Sequence, residues 1–153
     1  MTQEEKSLLL KDLSARLPYY PKCEMIDNLR VINNEPNPSY TECLFPRHLE
    51  IFYFHNNFTI KPYLRPMSSM TEKEKGELWF LLTEGRTNIE LNSNGQLTTR
   101  ENIELGLNYP FVCPEGSTLY VDWLNAHHFD YRGLIEKDLA VEAPEGMYSL
   151  KGK

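Results

Sequence analysis

Leu49-Glu50-Ile51-Phe52-Tyr53-Phe54 leads through His55-Asn56-Asn57 into Phe58-Thr59-Ile60-Lys61-Pro62-Tyr63-Leu64, a stretch dominated by aromatic and β-branched residues. Such side chains favour pleated strands. After Glu50 both alternating sets of the first segment are apolar, which predicts a strand covered on both faces at the centre of a sheet. His55-Asn56-Asn57 then reads as a tight hairpin connection to a second strand over 58–64. Upstream, Leu29–Ile32 and Tyr40–Phe45 read as further short strands, with Asn33-Asn34-Glu35-Pro36-Asn37-Pro38 as the loop between them. The aromatic density from Phe45 to Tyr63 is expected to be core packing.

Helical signals flank this β-rich region. Thr2 followed by Glu5 is a capping-box pattern, and Leu9, Leu10, Leu13 and Leu17 recur at helical spacing until Pro18. A helix over about residues 3 to 16 is predicted, with Glu4, Lys11, Asp12 and Arg16 as its solvated face. Ser69/Glu72 and Thr71/Glu74 offer two overlapping capping boxes for a second helix over about 71 to 82, which contains Gly76. Asn88–Asn92 and Gln96–Thr99 flank Ser93-Asn94-Gly95, the strongest short hairpin signal in the chain. Leu119, Tyr120, Trp123, Leu124, His127 and His128 make a helical stripe with Trp123 as a core residue, after a loop over 110–117. Asp130 stands where it would cap a short helix to about Lys137. Leu139-Ala140-Val141 reads as a last extended segment, and 151–153 as a frayed tail. The predicted class is α+β: an N-terminal helix, a small antiparallel sheet, a helix, the Asn-Gly hairpin and C-terminal helices.

The chain has 153 residues, with 16 Lys and Arg against 22 Asp and Glu for a net charge of −6, which suits a single globular domain over 1–153. This acidic balance disfavours a protein that holds duplex DNA by neutralising phosphates. Cys23, Cys43 and Cys113 are widely spaced and odd in number, so no disulfide framework or structural zinc site is expected. The acidic N-terminus and the absence of a run of about 20 apolar residues predict neither a secretory signal nor a membrane span. A cytoplasmic setting follows as the expectation.

Two polar segments could carry chemistry. The first, Asn125-Ala126-His127-His128-Phe129-Asp130-Tyr131-Arg132, offers His127, His128, Asp130 and Tyr131 as candidate acid/base groups. Adjacent histidines on a helix diverge by about 100°, so they do not form a chelating pair, and no metal or cofactor is expected. The second, Ile60–Met70, places Lys61, Tyr63 and Arg65 ahead of a capped helix start, where an anion could bind together with Arg132. It lacks the glycines of a phosphate-cradling loop. If the two segments meet, they could form one groove.

Three blocks, SLLLKDLSARLPY (7–19), IKPYLRPMSSMT (60–71) and WLNAHHFDYRGLIEKDLAVEAPEGMY (123–148), resemble a group of short uncharacterised proteins from anaerobic gut bacteria and their prophages or other mobile elements. The resemblance implies a mobile-element setting and no particular activity. The leading expectation is a small protein-binding or adaptor protein, with a homodimer as one form of partner. An enzyme or small-ligand protein built on the His/Asp/Tyr/Arg cluster is the alternative, and a nucleic-acid accessory protein the second alternative.

Overall fold

A computed structural model describes residues 1–107, 109 and 116–148. Cys113, residues 110–115 of the loop expected over 110–117, and the tail over 151–153 lie outside the described residues, and residues 116 and 117 open a helix rather than close that loop. The class is α+β. The chain divides into two compact units, one made of Met1–Ser69 with Leu124–Lys153 and the other of Met70–Trp123.

The first unit begins with α1 (Gln3–Arg16), closed at its start by the expected capping box: Glu5 N–H donates to Thr2 Oγ1, and Thr2 N–H to the Glu5 carboxylate. β1 (Lys22–Asp27) pairs antiparallel with both β4 (Ser39–Cys43) and β5 (Phe58–Leu64). β5 also runs parallel to β8 (Val141–Glu142), giving the order β4-β1-β5-β8. The sheet is therefore mixed, where an antiparallel one was expected. β2 (Val31–Ile32), inside the strand expected over 29–32, and β3 (Glu35–Pro36), inside the stretch read as loop, form a small separate hairpin. Its turn residues Asn33 and Asn34 both have positive φ, the geometry a twisted two-residue hairpin requires.

The segment 49–54 is not the central strand. It lies in α2 (Pro46–Phe54), which starts on Pro46, a residue whose fixed φ suits the first helical position. Phe45 N–H donates to His48 Nδ1 at 3.1 Å, so an imidazole takes the capping role usual for a carboxylate. Only His48 and Phe52, four apart, are buried in this helix, while Tyr53 and Phe54 are exposed. His55–Asn57 consequently joins a helix to a strand. The central position goes to β1 and β5, and in β5 Phe58, Ile60, Pro62 and Leu64 are buried alternately. Leu9 and Leu13 of α1, Cys23 and Met25 of β1, Phe52 of α2 and Ile60 and Leu64 of β5 share one core cluster with Leu134 and Leu139.

The second unit holds α3 (Glu72–Thr83), the hairpin β6 (Ile89–Leu91) and β7 (Leu97–Thr99), α4 (Arg100–Glu104), and α5 (Gly116–Ala126) as far as Trp123. Of the two capping boxes, Thr71 with Glu74 is the one that forms. Gly76 sits inside α3, where glycine costs about 1 kcal/mol relative to alanine. α3 ends where Gly85, at φ +71, donates its N–H to Phe80 O and leaves room for the Phe80 ring.

The helical register of 46–54 has a direct check. Phe52→Ala should lower stability by about 3–5 kcal/mol. Tyr53→Ala should change it by no more than about 0.5 kcal/mol. Urea melts of the two variants measure both, and equal losses would contradict the one-sided burial of α2.

Candidate functional site

Asp12 and Arg16, read from sequence as solvated, are both fully buried. They fall on the same face as Leu9 and Leu13, one turn apart, and so enter the core with them. Arg16 Nε donates to Asp12 Oδ2 at 2.7 Å, and Arg16 Nη2 donates to the Phe129 carbonyl at 2.7 Å. The second Asp12 oxygen accepts from Arg132 Nε at 3.1 Å. Arg132 Nη2 reaches the Tyr131 hydroxyl, which donates onward to Asn125 Oδ1 at 3.0 Å. Tyr131 also lies under both guanidinium groups. The sequence carried a signal for this cluster, because Leu9, Asp12, Leu13 and Arg16 follow the i, i+3, i+4, i+7 spacing of a buried stripe.

His127 and His128 lie past the end of α5. His128 N–H donates to Asn125 O and Phe129 N–H to Leu124 O, the paired bonds of a Schellman helix end. His128 occupies the left-handed position at φ 59, where glycine is the usual residue, and Leu124 and Phe129, the two positions that carry the apolar contact of such a motif, are both buried. The His128 ring is buried and stacks on Tyr148 with centroids 3.9 Å apart. The Tyr148 hydroxyl accepts from Lys22 N–H at 3.0 Å and donates to Tyr63 O at 2.9 Å, so the stack ties the chain end to β1 and β5. Burial, aided by the positive charges of Arg16, His127 and Arg65, lowers the His128 pKa to about 4. No hydrogen-bond partner for Nδ1 is present among the described residues.

Asp130 does not start a helix. Its carboxylate accepts from Leu134 N–H and Ile135 N–H, both at 2.9 Å, and anchors a run of turns through to β8. The two polar segments do meet. Arg65 N–H donates to His128 O, Asp130 N–H donates to Arg65 O, and the Arg65 guanidinium lies 4.2 Å above the Phe129 ring. Lys61, by contrast, pairs with Asp138 at 2.7 Å, and Arg132 turns inward to Asp12, so the candidate cations are divided among separate partners. Lys61 lines a cleft of about 350 Å³ with Met1, Glu5, Leu9, Thr59, Lys137, Asp138 and Leu139. Trp123, expected in the core, is only half-buried, whereas His128 is buried.

Sequence reasoning missed a second kind of site, in the other unit. Phe80, Leu81 and Trp123 line a cleft of about 450 Å³ together with Gly76 and Glu77. Phe80 is 64% exposed and Trp79 40% exposed, and Thr83 is the sole buried residue of α3. By sequence this unit has nine acidic residues and four basic ones, so it carries −5 of the total charge of −6. The run Leu78-Trp79-Phe80-Leu81-Leu82 was the available signal: five consecutive large apolar residues exceed what one helix face can bury.

No protein-family model, curated protein or solved structure matches the chain.

Two measurements probe the polar cluster. Arg16→Ala should cost about 3–5 kcal/mol in urea denaturation, because a buried carboxylate loses a partner and a buried carbonyl loses its donor. Arg47→Ala, which removes an exposed pair with Glu42, should cost less than about 1 kcal/mol. For His128 the folded pKa is below the unfolded value, so its contribution is complete above pH 6.5 and is lost as pH falls toward 4. His128→Asn keeps a residue tolerant of positive φ and should flatten the stability profile between pH 6.5 and 5. An unchanged slope would assign the acid sensitivity elsewhere.

Proposed function

We propose that this protein is a small adaptor that binds another protein through its acidic second unit. The observation that carries the reading is α3: a capped helix with one buried residue, its Trp79 and Phe80 exposed beside a cleft lined by apolar side chains. Helices of this length draw most of their stability from packing an apolar face, and α3 leaves much of its own in water. The exposed aromatics of the first unit have each other instead, in the tilted Tyr20–Phe45 pair and the edge-on Tyr53–Phe54 pair. The polar cluster supports the same conclusion from the other side, since Asp12, Arg16, Asp130 and Arg132 hold the fold through bonds to one another and to backbone. A cytoplasmic, mobile-element setting belongs to this proposal through the resemblance of residues 60–71 and 123–148.

A second reading, binding of a small molecule, is favoured by the 350 Å³ cleft at Lys61, where two lysines and two carboxylates stand beside Met1, Leu9 and Leu139. Nucleic-acid binding has less support. The first unit has twelve basic and thirteen acidic residues, and its cations Arg16, Arg47, Lys61 and Arg132 all bond to carboxylates.

A photoreactive amino acid placed at position 80, with position 29 of the first unit as a control of similar exposure, tests the adaptor reading in living host cells. A discrete protein adduct from position 80 that is absent from position 29 is the expected result. Adducts only to nucleic acid, or equal protein adducts at both positions, would overturn it.

A further inference from the structure

Gly76 stands in the interior of α3, yet a Cβ built there meets no described atom within 4 Å. Elsewhere in the same unit glycine has an evident reason: Gly85 has positive φ, and a Cβ on it would stand 2.7 Å from the Phe80 ring. At Gly76 neither backbone conformation nor internal packing calls for the absence of a side chain, and glycine weakens the helix. The residue lines the same cleft as Phe80, Leu81 and Trp123. A missing side chain at the lip of an apolar cleft permits something outside this chain to come close to the α3 backbone.

We propose that the second unit takes a basic amphipathic α-helix of a partner protein, laid across Gly76 with large apolar side chains seated between Phe80, Leu81 and Trp123. The proposal rests on the adaptor reading and names the partner's chemistry. Small residues at a crossing let two helix backbones approach closely, and an apolar cleft on a helix surface suits the anchoring side chains of an incoming helix. The charge of the unit selects its polar face. Lys73 and Lys75 pair with Glu77 and Glu72, which leaves the start of α3 acidic through Glu74, and the unit as a whole has nine acidic residues against four basic ones. A second copy of this chain is a poor occupant, because two faces from units of charge −5 would repel.

The test uses the full chain and three labelled 18-residue helical peptides that share one leucine-rich face and differ in the other, which is lysine-rich, uncharged or glutamate-rich. Fluorescence anisotropy should rank the lysine peptide at least tenfold tighter than the uncharged one, show no binding of the glutamate peptide, and weaken as salt rises from 50 to 300 mM. Gly76→Ala should melt at the same temperature as the parent or higher and bind the lysine peptide at least tenfold more weakly, as should Phe80→Ala. Equal binding of all three peptides, no binding of any, or a Gly76→Ala variant that binds normally or melts lower would overturn the proposal. If position 80 still crosslinks to a protein when the peptides fail, the adaptor reading survives and the basic helix alone is lost.

Discussion

The first unit depends on a buried charge. Arg16 and Asp12 are inaccessible to water, and removing two ions from water costs several kcal/mol for each unless their remaining bonding capacity is filled. Here distant parts of the chain fill most of it: Phe129 supplies a carbonyl to Arg16 and Arg132 a second donor to Asp12, while Arg16 Nη1 has no hydrogen-bond partner among the described residues. A leucine pair at these positions would bury comfortably, but it would accept many placements of residues 124–132. The ion pair accepts few. Its geometry links α1 to the end of α5 across more than a hundred residues, and the path from Phe129 to β8 follows from that link.

That dependence explains which elements could be read locally. α1, α3 and the Asn94-Gly95 hairpin carry their own instructions in caps, apolar periodicity and turn residues, and the structure has all three. β1 carries almost none. Lys22-Cys23-Glu24-Met25-Ile26-Asp27 alternates charged and apolar residues and contains one β-branched side chain, so it resembles a surface segment, although it pairs on both sides. The aromatic run at 49–54 misled for the opposite reason. Its side chains favour strands intrinsically, but Pro46 and the His48 bond to Phe45 set a helix start just ahead of it, and burial of His48 and Phe52 completes one helical face.

The candidate site was legible in part. The meeting of Arg65 with His128 and Asp130 follows the expectation that the two polar segments would converge. What they form is a set of internal bonds that use up most of the groups thought available for chemistry. Asp130 illustrates the ambiguity: a carboxylate ahead of Arg132-Gly133-Leu134 has the same local signature whether it caps a helix, activates a base or, as here, holds two backbone amides of a turn. Asp12 and Arg16 were hidden because a charged pair one turn apart usually marks a wet surface. Their placement on the leucine stripe outweighed that expectation.

His128 shows how strain and stacking balance at one residue. A non-glycine residue in the left-handed region costs of order 1–2 kcal/mol, and a neutral, buried imidazole adds a penalty whenever it must take up a proton. Glycine would relieve both terms and satisfy the helix end equally well. It would also remove the ring on which Tyr148 lies, and the Tyr148 hydroxyl bonds to both Lys22 and Tyr63. Just ahead of residues 144–148, β8 pairs with β5 over only two residues. The strained histidine therefore exchanges local backbone comfort for a long-range tie, the same exchange that the buried ion pair makes at the other end of residues 124–132.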